Sequence, residues 1–419
     1  MKILQLATHY EDIGGGPKMI HDIATLLHQS GHYIEVLYST AIHAPFKNVR
    51  WPTHHVPDMW GDNERSTKQS ALDALHIAND MQPDLVICHG PIDPIVVDML
   101  GKDWDTVKFV HAYHDCPAHR RLFTRNDRVC HKPLGPTCLA HWYLDRCGTN
   151  KSPRHALQSY KTASRELDSL RRARMVLANS DYVRQSLISN GCRPENVRVF
   201  PLFSMVDEVE PTMTDTLDGA TFREAVPGSN DAGFVLFAGR VGYEKGIPYL
   251  LRAFAHVASP ARLVVAGEGY YLPVCREIAT SLGIQDRVEF LGWVPAHDMD
   301  DLYKRASMLA APSIWPEPFG LIGLEAGRYG CPVVAFAVGG IPEWLGSLVP
   351  GTAVPPLDIQ AFAAAINHHL THPISRGDAA AAFLHAHDER KVAALTLLQE
   401  LADGHALAPA RPALSGVGM

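Results

Sequence analysis

Two carboxylates, Glu317 and Glu325, stand in the stretch Pro-Ser-Ile-Trp-Pro-Glu-Pro-Phe-Gly-Leu-Ile-Gly-Leu-Glu-Ala at 312–326. Pro316 and Pro318 bracket Glu317, which predicts a rigid, non-helical turn. A helix starting near Phe319 or Gly320 would carry Glu325 about one and a half turns in. The first amides of such a helix have no partners within it and could face an anion in the turn. Glu317 could equally stabilise the helix dipole and do nothing else. Upstream, Arg240 and Lys245 surround Gly242 and end at Gly246. A forked guanidinium and a point-charge ammonium beside a glycine turn suit a diphosphate. Gly267-Glu268-Gly269 and Gly292-Trp293-Val294 offer backbone that can approach a base or ribose closely.

These groups need elements that hold them, and the alternation of apolar runs supplies those. Residues 2–8 read as a buried strand, followed by Gly14-Gly15-Gly16-Pro17, then a helix with Ile20, Ile23, Ala24 and Leu27 on one face. Residues 33–38 form a second strand, and strand, glycine turn, helix, strand implies a parallel sheet. The glycine loop lacks the G-x-G-x-x-G spacing of a dinucleotide fingerprint and reads as either a tight turn or a phosphate cradle. Helices are expected at 71–81 and 156–173, and strands at 85–88, 107–110, 175–178 and 197–200. Residues 206–232 hold acids, prolines and glycines without periodicity and are expected to be a linker or surface loop. From 233 the α/β rhythm restarts, with strands ending at 237, 266, 291, 311 and 336. Open parallel sheets bind ligands at the carboxyl ends of their strands, where Arg240, Gly267, Gly292 and Glu317 all fall.

The expected architecture is two doubly wound α/β domains, at 1–205 and 233–403, with a flexible tail at 404–419. At 46% hydrophobic and 20% charged residues the composition is that of a globular protein. No apolar run spans a bilayer and the N-terminus reads as a strand, so a cytoplasmic location is expected. The net charge of -7 is unevenly spread. Residues 101–200 contain 18 Lys and Arg against 9 Asp and Glu, or +9, which leaves -16 for the rest. A basic N-terminal half could face an anionic acceptor or the inner membrane surface as a peripheral contact, or be a solvated face. Aromatics are not interleaved with the cations as in RNA-binding modules, so nucleic acid is not expected as a partner.

Eight cysteines in 419 residues argue against a disulfide scaffold. An insert near 116–150 gathers Cys130, Cys138, His141 and Cys147, with Cys116 as a substitute, and these could hold a structural zinc. The spacing has no C-x2-C knuckle, and packed thiols are the favoured reading.

Gly239-Arg240-Val-Gly-Tyr-Glu-Lys245-Gly246, Gly267-Glu268-Gly269, Val288-Glu-Phe-Leu-Gly292 and Glu317-Pro-Phe-Gly-Leu-Ile-Gly-Leu-Glu325 resemble the retaining glycosyltransferases of family four, with their Glu-x7-Glu signature. Cys331-Pro-Val-Val-Ala and Gly339-Gly340-Ile-Pro-Glu343 extend the likeness over nearly all of 233–345. Gly14-Gly15, Gly31-His32 and His114-Asp115 resemble the family more loosely. The resemblance implies the GT-B fold, two Rossmann-like domains facing a central cleft, and a UDP-, GDP- or ADP-sugar donor. By the same resemblance Arg240 and Lys245 bind the diphosphate, Glu317 the sugar hydroxyls and Glu325 the ribose. Gly14, Gly15, Gly16, Gly239, Gly267, Glu268, Gly292, Trp293, Val294 and the amides of Phe319, Gly320 and Leu321 complete the donor site. His114 matches the family's active-site histidine, with His111 as rival. No catalytic metal or other cofactor is implied. The acceptor would be a surface glycan, a lipid-linked or a small molecule, as in polysaccharide biosynthesis. An inactive glycan- or nucleotide-binding module, or a sugar-nucleotide epimerase on the same scaffold, is the alternative reading.

Overall fold

The computed structural model describes residues 1–404 except 12–13, 41–45, 47–48, 61–63, 149, 206–232 and 259. The expected linker at 206–232 and all but the first residue of the expected tail at 404–419 lie outside the described residues. The chain's internal contacts divide it into two units. One contains Met1–Asn126, Cys130–Met205 and Glu389–Met419; the other contains Asp127–Val129 and Val206–Asp388. The sequence placed 389–403 with the second half, but the last helix, Arg376–Ala402, passes out of that unit at Glu389. Arg198 Nη1 bonds the Glu400 carboxylate at 3.0 Å and Arg390 Nε the Leu202 carbonyl at 2.6 Å, which fixes the helix end to the first unit.

The first unit is built on a seven-stranded sheet. Its order is Thr53–His55, Tyr33–Thr40, Lys2–His9, Leu85–His89, Thr106–Val110, Val176–Ala178, Val197–Val199. Every recorded pairing is parallel. The central strands are buried on both faces, so they read as continuous apolar runs. Helix Gly15–Gln29 buries Ile20, Ile23, Ala24 and Leu27, the face its periodicity predicts. One buried position breaks the apolar rule. Lys108, in the middle of Thr106–Val110, is 1% exposed and pairs with Glu166 Oε1 of helix Pro153–Arg172 at 2.8 Å. Ser169 accepts a further bond from the same ammonium at 3.2 Å. Burial pushes the Glu166 carboxyl upward, and Lys108 opposes that shift.

The second unit has a six-stranded parallel sheet ordered Val288–Gly292, Arg262–Ala266, Phe234–Ala238, Met308–Ala311, Val333–Phe336, Gly351–Val354. Strand order reverses between Phe234–Ala238 and Met308–Ala311, so the loops after these two strands leave in opposite directions and open a crevice. Gly246 locks the two loops together. It has φ +72, and a Cβ there would lie 1.8 Å from the Pro312 carbonyl oxygen. The glycine thus admits both a left-handed backbone and a carbonyl in contact with it.

Two outcomes follow from this packing. Lys108→Met should lower stability by about 3–5 kcal/mol near neutral pH, because it leaves Glu166 buried and unpaired. Since burial raises the folded carboxyl above its unfolded value, the deficit shrinks as pH falls and the group protonates. Urea unfolding at about pH 8 and pH 5 checks this, and an equal deficit at both would contradict it. Gly246→Ala should cost more than the ~1 kcal/mol of a strained left-handed alanine, read as a drop in thermal midpoint, because the Pro312 carbonyl must also move.

Candidate active site

The loop after Phe234–Ala238 carries Arg240 and Lys245, and the loop after Met308–Ala311 carries Ser313 and Glu317. Across the reversal point Lys245 Nζ donates to Glu317 Oε1 at 2.7 Å, and Ser313 Oγ donates to the same oxygen at 2.6 Å. The ammonium also lies 5.4 Å from the centre of the Trp315 ring. Burial alone would raise the Glu317 carboxyl. The charge of Lys245 and hydrogen bonds from Lys245, Ser313 and Trp315 outweigh it and hold the group below the usual carboxylate range. Glu317 is therefore an anion at neutral pH, with one oxygen fully engaged. Its backbone is fixed as well: Gly340 donates to the Glu317 carbonyl at 2.8 Å, and the glycine at 339 lets that turn pass within contact.

Arg240 is 59% exposed and pairs with Glu244, which is buried and also accepts from Tyr270 Oη at 3.1 Å. Backbone bonds tie the neighbouring strand ends into one rim. Gly239 donates to Ala266, Val241 to Glu268 at 2.7 Å, and Gly267 to Gly292 at 2.6 Å. Gly267, Glu268 and Gly292 thus meet at the carboxyl edge, as the sequence anticipated, and Trp293 stands beside them 57% exposed. Val294 is buried.

The helix after Glu317 begins later than its sequence suggests, at Ile322, and ends at Arg328. Gly320 takes φ +91, a left-handed geometry that no helix interior contains, so the segment Phe319–Gly320–Leu321 is a turn. Glu325 consequently sits in the first helical turn rather than one and a half turns in. Trp344 explains the glycines. Its ring packs where a Cβ on Gly323 would stand, at 2.5 Å, and its Nε1 donates to the Phe319 carbonyl at 2.7 Å. Glu325 accepts a hydrogen bond from Tyr303 Oη at 2.9 Å. Burial first, and the nearby Glu325 second, push the Tyr303 phenol well above its ordinary value, so it remains a donor. Ser313, Tyr303, Trp344 and Glu244 escaped the sequence reading. The proline before Ser313 and the strand just upstream placed that serine in a loop, but nothing local marks its partner.

In the first unit Gly14 has φ +97 and precedes helix Gly15–Gln29. Gly16 lies against His111, with 4.0 Å between its Cβ position and the His111 Cβ. His114 follows strand Thr106–Val110 by four residues, and its Nε2 lies 3.9 Å from where a Cβ on Gly90 would stand. Burial, reinforced by His119, His111, Lys108 and His9, pushes His114 down to about 3. His111 is pushed down to about 3 by burial. Both imidazoles are neutral at physiological pH. His111 belongs to a chain that the sequence did not reveal: its Nε2 meets His89 Nδ1 at 2.9 Å, and His89 Nε2 meets Gln5 Oε1 at 2.7 Å. A glutamine inside a buried strand was the available signal.

The structural zinc site is not supported. Among the described residues no group of three or more His, Cys, Asp or Glu side chains is placed to hold a metal ion. His141, which was to supply the imidazole, has Nδ1 2.5 Å from Asp145 Oδ2 and Nε2 3.0 Å from Lys132 Nζ. Cys116, Cys130, Cys138 and Cys147 are free thiols.

Comparison with known proteins agrees with this geometry. Residues 13–203 match Glycosyltransferase Family 4, and residues 220–382 match Glycosyl transferases group 1. An uncharacterised glycosyltransferase of Methanocaldococcus jannaschii is 36% identical over 152 residues, covering 36% of this chain and 39% of that one. A D-inositol 3-phosphate glycosyltransferase of Kribbella flavida is 34% identical over 214 residues, covering 48% of this chain and 49% of its own. The matched part thus spans less than half the length of either relative. Among solved structures, Anabaena HepE in complex with UDP and glucose superposes with a TM-score of 0.66 at 20% identity, over 96% of this chain and 100% of that one. Sucrose-phosphate synthase from Thermosynechococcus elongatus gives 0.63 at 18%, over 97% and 100%. These two establish the fold. With two parallel α/β units and this shared fold, the chain has the GT-B fold, its residues 13–203 matching Glycosyltransferase Family 4 and its residues 220–382 Glycosyl transferases group 1.

Proposed function

We propose that the protein is a retaining glycosyltransferase that moves a hexose-type sugar from a nucleoside diphosphate donor to an acceptor hydroxyl without a catalytic metal. The observation that carries this reading is the Lys245–Glu317 pair, seated with Ser313 at the crevice where strand order reverses. Arg240, more than half exposed, forks onto the diphosphate oxygens, and Lys245 adds its charge to the leaving group. Glu317, with one oxygen tied, turns the other to hydroxyls of the sugar. Glu325 takes the ribose, while Gly267, Glu268, Gly292, Trp293 and Val294 border the base. Amides at Phe319, Gly320 and Leu321 lie beside phosphate and sugar, in the turn that Gly320 creates.

His114 is neutral, so its catalytic part is that of a hydrogen-bond partner and not of a cation. In a retaining reaction on one face of the sugar, the bond from the anomeric carbon to the diphosphate oxygen breaks as the acceptor oxygen bonds to that carbon. The acceptor proton passes to a phosphate oxygen of the leaving diphosphate. No side chain then becomes a covalent nucleophile. That one structural neighbour is in complex with UDP and glucose supports a UDP-sugar among the donors to try first. The acceptor is a growing surface glycan, an anionic lipid or a small metabolite, in that order. The basic stretch at 101–200, with Tyr143, Leu144 and Leu157 exposed in it, suits peripheral contact with an anionic membrane face. No helix among the described residues is long and apolar enough to cross a membrane.

A screen of UDP-, GDP- and ADP-sugars for donor hydrolysis or transfer tests the activity, and silence with every donor would favour an inactive binding module. With the active donor, Lys245→Ala and Glu317→Ala should each lower kcat/KM by about 10²–10³-fold in protein that is still folded at assay temperature, with the thermal midpoint of Lys245→Ala lowered because Glu317 loses its ion partner. Near-normal turnover in both would remove the site assignment. Ser313→Ala removes one of the bonds that keep Glu317 ionised, so its carboxyl should rise and the acid limb of kcat/KM should move to higher pH. An unmoved acid limb would show that the serine does not tune that carboxylate.

A further inference from the structure

The second glutamate is held from behind, and the manner of holding has a consequence for the donor. Tyr303 closes the helix Ala296–Arg305 and is 2% exposed, whereas Glu325 is only partly buried. The phenol donates to Glu325 Oε2 at 2.9 Å, and no bond to Oε1 is recorded among the described residues. A carboxylate offers about four lone-pair sites, so the inward oxygen is taken and the outward one keeps its full capacity as an acceptor.

The tyrosine is itself fixed. Its ring stacks on Tyr329 at 6.2 Å with planes 13° apart. Arg376 spreads its guanidinium over four carbonyls: Tyr303 at 2.5 Å, Lys304 at 2.8 Å, Ala306 at 2.7 Å and Tyr329 at 3.0 Å. Those carbonyls end the helices Ala296–Arg305 and Ile322–Arg328, so one cation caps both and sets the spacing between the tyrosine and the glutamate. A plain packing tyrosine would need neither the buried hydroxyl nor this frame, and a buried hydroxyl without a partner is costly.

We propose that Tyr303 is a positioning residue that makes Glu325 a reader of ribose hydroxyls and thereby sets the preference for ribonucleotide over deoxyribonucleotide donors. This rests on the nucleotide-sugar reading of the site. A carboxylate held at one rotamer accepts from hydroxyls at a fixed place, and a ligand without them leaves the anion short of a partner. Freed from the phenol, the same carboxylate swings, hydrates and loses that discrimination.

The test is calorimetric titration of the full chain with UDP, GDP and ADP, each against its 2′-deoxy and 3′-deoxy analogues, for wild type, Tyr303→Phe, Glu325→Ala and the double variant. Wild type should prefer the ribonucleotide by about tenfold or more, as expected for a hydrogen bond to a charged group. Tyr303→Phe should bring that ratio to about twofold or below, with the deoxy analogues bound as before and the thermal midpoint retained. On the Glu325→Ala background the tyrosine substitution should change the ratio no further, because it acts through that carboxylate. A Tyr303→Phe variant that keeps the full ratio overturns the proposal. So does one whose affinity for ribo and deoxy forms falls in parallel with its thermal midpoint, which marks a merely structural tyrosine. If wild type binds none of the diphosphates, the functional reading itself falls and takes this inference with it, an outcome separate from an unchanged ratio in the variant.

Discussion

The contact between Lys245 and Glu317 joins two loops that leave adjacent strands in opposite directions. A strand-order reversal opens a crevice there, and an open crevice needs something to set its width. A 2.7 Å charge-assisted bond does so, with Ser313 as a second donor and the Pro312 carbonyl pressed onto Gly246 as a stop on the other side. The carboxylate is buried, so its ionisation depends on those neighbours, and the neighbours depend on the two strands lying side by side. Charge, loop spacing and sheet topology therefore stand or fall together in this unit.

The second layer of support is steric. Trp344 fills the space above Gly323 and donates to the Phe319 carbonyl, while the Phe383 ring fills the space beside Gly327, so the short helix Ile322–Arg328 is pressed between two large rings. Glycine on that face permits the approach, and dense packing around it removes alternative positions for Glu325. The first unit uses a polar device instead. Gln5, His89 and His111 form a chain running from the sheet interior towards its carboxyl edge, and Lys108 is paired with Glu166 beneath it. Buried polar groups joined in this way make a geometry specific, because misplacing one breaks the bonds of its neighbours, although Gln5 Nε2 itself has no recorded partner among the described residues.

Local pattern made much of this legible. Apolar runs punctuated by glycine identified the strands and crossover helices; Arg240, Gly267 and Gly292 lie at or just past strand ends as expected, and Lys245 and Glu317 lie farther along the loops that follow Ala238 and Ala311. The helix onset was misjudged, since the backbone angle of Gly320 is set by what packs on it and not by its neighbours in sequence. The zinc reading failed for a related reason: residue types and spacing say which ligands exist, while His141 is engaged by Asp145 and Lys132. Residues 389–403 were placed with the second half because nothing in their periodicity tells which core the chain's end will meet.

The α/β class, the division into two halves and the kinds of group at the strand ends follow from residue periodicity and side-chain chemistry within a few positions. Which of those ends are neighbours depends on the assembled sheet. Strand order brought 239–246 beside 312–321, gave Glu317 its serine and lysine, and put Tyr303 behind Glu325. Those pairings join residues between 4 and 72 positions apart, and the longer ones arise from hydrogen bonding between strands whose order no local pattern encodes.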